Sequence, residues 1–150
     1  MKYLSLWRPW TWAIFDPIAN KGIENRPWQP NVDMIGQRFA IQAVPKWDDS
    51  AISFFMQLGL DHFPNRKDQY PFDAVVGVVT LDRVVTNVRS LPSDQKRWFF
   101  GEYGWVIVNR IALPNPVYCK GVRGLRDLPD DVEREVLKQL AATTESAHVR

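Results

Sequence analysis

The chain has 150 residues, 45% of them hydrophobic and 24% charged, with a formal net charge of +2. That composition supports one buried core and argues against a chain disordered throughout. A lone cysteine, Cys119, and two histidines, His62 and His148, leave no disulfide and no zinc-ligand spacing, so neither metal nor cofactor is expected.

Leu4–Leu6 reads as a short extended opening. Pro9 then suits the first position of a helix, with Trp10, Ala13 and Ile14 on one apolar face and Pro17 as its stop. Asn20 and Gly22 bracket Lys21 with residue types that tolerate positive φ, which predicts a tight turn presenting the lysine, with extended chain beyond it. Arg38–Val44 alternates as a half-buried strand. Asp48-Asp49-Ser50 supplies caps for a helix over Ala51–Leu58, which Gly59 ends.

Phe63–Pro71 is polar and reads as a loop. Ala74–Val85 carries the strongest strand signal, with Gly77 marking a bulge or bend. Ser93-Asp94 caps a helical turn through Trp98, and a strand follows at Trp105–Ala112. Pro114 and Pro116 are expected to keep the next segment from pairing as a central strand. Lys120–Pro129 is a basic, glycine-containing loop. Asp130–Ala141 is a helix with acids in its first turn and Val132, Val136, Leu137 and Leu140 on its apolar face. Residues 1–142 form one domain, and 143–150 are expected to be a flexible tail. Short strands with glycine corners and peripheral helices predict an α+β domain organised around a partly closed barrel.

The chemistry concentrates in KGIENRPW, Lys21–Trp28. On an extended segment Glu24, Arg26 and Trp28 share a face, so a carboxylate, a guanidinium and an indole line one wall beside Lys21. Arginine and lysine suit phosphate and tryptophan suits a base face, while a Glu24–Arg26 ion pair fastening the loop is the structural alternative. Trp7 and Trp28 flank the charges and are ligand candidates; Trp10 and Trp105 are expected in the core. Lys120, Arg123 and Arg126, interleaved with Gly121 and Gly124, form a second candidate phosphate-contact loop, without the lysine-hydroxyl ending of a P-loop.

Three stretches, LSLWRPWTWA, KGIENRPW and FGEYGWVIVNRIALPNPVYCKGVRGLRDLP, resemble the ASCH domain family of the PUA-like superfamily. Its hallmark GxKxxExR is met by Lys21, Glu24 and Arg26, with Ala19 where glycine is usual; the resemblance spans most of residues 4–129. Arg126 replaces a frequent aromatic, and the resemblance does not extend to the Phe54–Tyr70 region. The resemblance implies a PUA-like barrel whose cleft, lined by the hallmark loop, binds nucleic acid. Some members hydrolyse an acetylated cytidine and some are ribonucleases; the hydrolases use a threonine near the hallmark lysine where this chain offers Glu24.

The expected function is binding of nucleic acid, RNA before DNA, or of a nucleotide, in a cleft formed by the KGIENRPW and KGVRGLR loops. Trp7, Lys21, Glu24, Arg26, Trp28, Lys120, Arg123 and Arg126 are its residues. The alternatives are a metal-independent amidohydrolase or ribonuclease with Lys21 and Glu24 as catalytic residues, and a protein-interaction or inhibitor module. No stretch reaches the roughly twenty apolar residues of a membrane span, and Met1-Lys2-Tyr3 leads into Trp, Arg and Pro, so a cytoplasmic protein without membrane contact is expected; a monomer is expected as well.

Overall fold

The computed structural model describes the backbone of residues 1–149 and the side chains of residues 1–144. Its strands are β1 (Lys2–Arg8), β2 (Ile23–Arg26), β3 (Arg38–Trp47), β4 (Ala74–Val85), β5 (Tyr103–Tyr118) and β6 (Arg126–Asp127). Its helices are α1 (Trp10–Phe15), α2 (Asp49–Gln57), α3 (Ser93–Lys96) and α4 (Asp130–Val149). The strands make one sheet in the order β2-β5-β4-β3-β1-β6, parallel only between β1 and β3. The end strands β2 and β6 do not pair, so this is an α+β fold around a partly closed barrel.

Two irregularities in β4 and β5 fall where the sequence breaks its strand pattern. Ile41 pairs with Gly77 and Gln42 with Val75, which leaves Val76 bulged. A Cβ on Gly77 would lie 2.2 Å from Phe15 Cζ and 2.8 Å from the Ile111 carbonyl oxygen, so only glycine lets α1 lie against the sheet there. On the other side Gly77 pairs with Ala112 and Val75 with Val117, which leaves residues 113–116 out of the ladder. Pro114 and Pro116 therefore interrupt pairing as expected, but only locally, and β5 resumes at Val117.

The core divides by layer. Trp105, Phe39, Leu4, Ile41 and Ile107 fill the sheet's inside, with Ile14 of α1 among them. Phe55 and Ala51 of α2 join Trp98 and Ile23 in a second cluster. Val132, Val136 and Leu140 of α4 cover Tyr3, Val78 and Leu113. Leu137, expected on that buried face, is exposed. The helix runs past Ala141 to Val149; the tail expected over 143–150 lies mostly outside the residues whose side chains are described. No helix among the described residues is long and apolar enough to cross a membrane.

Candidate functional site

Where the barrel fails to close, a side chain spans the gap. Arg26, on the edge strand β2, donates from Nη2 to the Ser5 carbonyl oxygen of β1 at 3.0 Å. The outermost strand, β6, pairs only with Lys2 and Tyr3, so beyond them β1 has no ladder partner on that flank. A hollow of about 300 Å³ opens at this seam. Ser5, Leu6 and Trp7 of β1 form one wall and Glu24, Asn25 and Arg26 of β2 the other, while Lys21, Trp10, Asp48 and Phe100 complete it.

The three hallmark charges meet there as a chain. Glu24 Oε2 accepts from Arg26 Nε at 2.9 Å, and Glu24 Oε1 lies 3.6 Å from Lys21 Nζ. The lysine also donates to the Ile23 carbonyl. Asn20 adopts the positive φ expected of the turn, at 52°. Lys21 is nevertheless not presented to solvent: it is 3% exposed and Glu24 is 7% exposed. The turn folds inward because the Lys21 backbone N–H donates to the Ala13 carbonyl of α1 at 3.0 Å. Burial lowers the Lys21 pKa; the Glu24 carboxylate opposes that, and the Arg26 and Arg110 cations add to it.

Aromatic rings and a second carboxylate complete the walls. Trp10, expected in the core, packs on Phe55 at 5.5 Å yet also faces the hollow, and its Nε1 donates to Asp48 Oδ2 at 2.9 Å. Burial works to raise the Asp48 carboxyl, but hydrogen bonds from Ser50 and Trp10 outweigh it and hold the group below its ordinary value. Asp48 is therefore an ionised acceptor at neutral pH. Trp7 is 44% exposed at the mouth, with Lys46 Nζ 4.2 Å from its ring centre. Asn25 ties Phe100 into place, accepting from the Phe100 N–H and donating to the Trp98 carbonyl, both at 2.8 Å. Replacing Asn25 with alanine is expected to cost about 1 kcal/mol, because the part-buried Trp98 carbonyl loses its partner while the exposed Phe100 N–H turns to water; chemical denaturation measures it.

Four expected site residues lie elsewhere. Trp28 is not in the lining: its ring packs edge-on against Trp105 at 5.0 Å, and its carbonyl accepts from Trp105 Nε1. The alternation that carries Glu24 and Arg26 to one face ends with β2 at Arg26, two residues short of the tryptophan. Lys120, Arg123 and Arg126 are exposed and also outside the lining. Their loop lies against β1, where the Val122 N–H donates to Ser5 Oγ at 2.9 Å. The hollow is thus built by the KGIENR segment without the KGVRGLR loop. Sequence reading missed Asp48, Asn25, Phe100 and Lys46. Asp48 carried a signal as a helix cap, whereas the others carried none. Among the described residues, no group of three or more His, Cys, Asp or Glu is placed to hold a metal.

Comparison with solved structures finds the same fold in ASCH from Zymomonas mobilis. That crystal structure matches with a TM-score of 0.53 at 16% identity, over 91% of this chain and 93% of that one. Two variants of the Zymomonas protein agree. A tyrosine-to-phenylalanine variant matches at 0.51 and a serine-to-alanine variant at 0.50, each at 16% identity and over 91% of this chain, and over 96% and 94% of their own chains. No family model matches the sequence, and no curated protein matches it. The likeness at this identity is one of fold: the chain has the ASCH fold.

Proposed function

We propose that this ASCH-fold chain binds nucleic acid, RNA before DNA, or a nucleotide, by taking an unpaired base into the hollow at the barrel seam. One observation carries the reading: donors and an acceptor converge between aromatic walls in a space of about 300 Å³, at the small end of the usual range for ligand pockets. Glu24 is occupied by Lys21 and Arg26, so its role is to hold the two cations in position. Lys21 Nζ and Arg26 Nη1 donate to ring nitrogen or carbonyl oxygen, and Asp48 accepts from an amino group. Trp7, Trp10 and Phe100 offer ring faces for stacking. Lys46 on Trp7 neutralises a phosphate at the mouth, and the exposed Lys120, Arg123 and Arg126 beyond Ser5 add positive surface for a longer chain.

Titrating short RNA into the protein and following tryptophan fluorescence tests this. Quenching is expected, with affinity falling as salt rises, and Trp7→Ala is expected to weaken binding by roughly tenfold through lost stacking. Binding indifferent both to salt and to Trp7→Ala would overturn the reading. A second reading, hydrolysis of an acylated base, is favoured by Lys21 itself, a buried amine of lowered pKa 3.6 Å from a carboxylate. In that reading Lys21 is the base and Glu24 its partner. Release of acetate from an acetylated cytidine, lost in Lys21→Met, would support it, and no release would retire it.

A further inference from the structure

A second hollow, of about 440 Å³, adjoins the first and is lined by Trp10, Ser50, Ser53, Phe54, Gln57 and Phe100. Trp10 and Phe100 line both, so the two spaces share their aromatic walls. Their chemistry differs. The first has Lys21, Glu24, Arg26 and Asp48, whereas the second has no charged side chain in its lining. Its polar groups come from one face of α2, at positions 50, 53 and 57, three and four residues apart.

The shared walls are held from several sides. Trp10 is anchored to Asp48, and the Phe54 ring lies 6.0 Å from Trp10, 5.2 Å from Phe100 and 5.7 Å from Trp98. Ser53 and Gln57 are exposed and make no side-chain hydrogen bond among the described residues. The space therefore offers rigid ring faces and free neutral hydrogen-bonding groups. A phosphate finds no cation in it, whereas a flat, neutral heterocycle finds both stacking surface and polar partners.

We infer that this second hollow is a subsite for a second nucleobase, and that the ligand is a single strand of at least two nucleotides, not a mononucleotide. The inference rests on the base-binding reading of the first hollow. The two bases occupy the two spaces across the Trp10–Phe100 boundary, and the linking phosphate stays outside the second space, at the mouth of the first. Paired bases do not enter, because each must leave its stack to reach an aromatic wall. Most of the subsite comes from α2.

Three RNA probes test the inference: a mononucleotide, the dinucleotide, and a dinucleotide whose second residue lacks its base. Each is titrated into the unsubstituted protein, Ser53→Glu and Gln57→Glu, with circular dichroism confirming the fold. The dinucleotide is expected to bind at least about tenfold more tightly than its abasic counterpart. Each added carboxylate is expected to erase that difference while leaving mononucleotide affinity unchanged. Equal affinity of the dinucleotide and the abasic probe in the unsubstituted protein overturns the subsite, as does a difference that survives both substitutions. Failure of all three probes to bind overturns the base-binding reading itself, and the subsite with it.

Discussion

Glu24→Gln is expected to destabilise the protein by about 3 kcal/mol near pH 6, the cost of leaving a buried cation without its carboxylate. For a chain of this size that lowers the thermal midpoint by roughly 10 °C, read by calorimetry. Glu24 touches both cations of the seam, and Lys21 has almost no access to water. Glutamine keeps the shape and can accept a hydrogen bond, but it removes the charge that opposes the lowering of the Lys21 pKa. The amine then sheds its proton more readily. Because deprotonation becomes easier as pH rises, the penalty is expected to shrink as pH rises toward the ordinary lysine value of 10.5. Adding Lys21→Met to Glu24→Gln removes the stranded charge and is expected to restore most of the loss. A penalty below 0.5 kcal/mol at pH 6, or a double variant no better than Glu24→Gln alone, would show that the charge chain does not hold the seam.

Lys21→Met separates binding from stability. Glu24 keeps Arg26 as a partner, and methionine fills the space of the lysine stem without a buried charge, so stability is expected to change by less than about 1 kcal/mol. Ligand affinity, by contrast, is expected to fall by roughly 10- to 100-fold, the worth of one charge-assisted hydrogen bond. The unsubstituted protein should show the same effect as a pH dependence. Its folded-state lysine pKa lies below the ordinary 10.5, so binding that uses the protonated amine is present below the folded pKa and lost as pH rises through it. The stability linkage has the opposite sign. Between the folded pKa and 10.5 the unfolded chain binds more protons, so stability rises with pH across that window and is lost again as pH falls through the folded pKa. Lys21→Met should flatten both profiles. Unchanged affinity, measured by titration calorimetry at constant salt, would remove Lys21 from the binding site.

The seam links these effects. A closed barrel satisfies its edge strands by ladder hydrogen bonds; here one arginine side chain replaces part of the ladder, and the space left over is the hollow. Arg26 is therefore both a closure and a wall. Its substitution should disturb stability and binding together, which makes Lys21→Met and Trp7→Ala the cleaner probes of binding.

Local pattern was enough for much of this chain. Alternating and β-branched runs placed β3, β4 and the start of β5, and Asp48-Asp49-Ser50 placed the start of α2, because strand pleat and helix caps are set by neighbours within a few residues. The charged trio Lys21, Glu24 and Arg26 was legible for the same reason, since two-residue alternation carries Glu24 and Arg26 to one face of β2. Trp28 was misplaced when that alternation was extended past the strand's end, and Lys21 was taken as exposed because its turn was read without α1 beneath it. Asp48 and Phe100 reached the site only through folding. They lie 24 and 76 positions from Glu24 along the chain, and what gathers them is β1 and β2 meeting at an open seam. Such proximity depends on strand order and on which edges remain unpaired, and no local spacing encodes either.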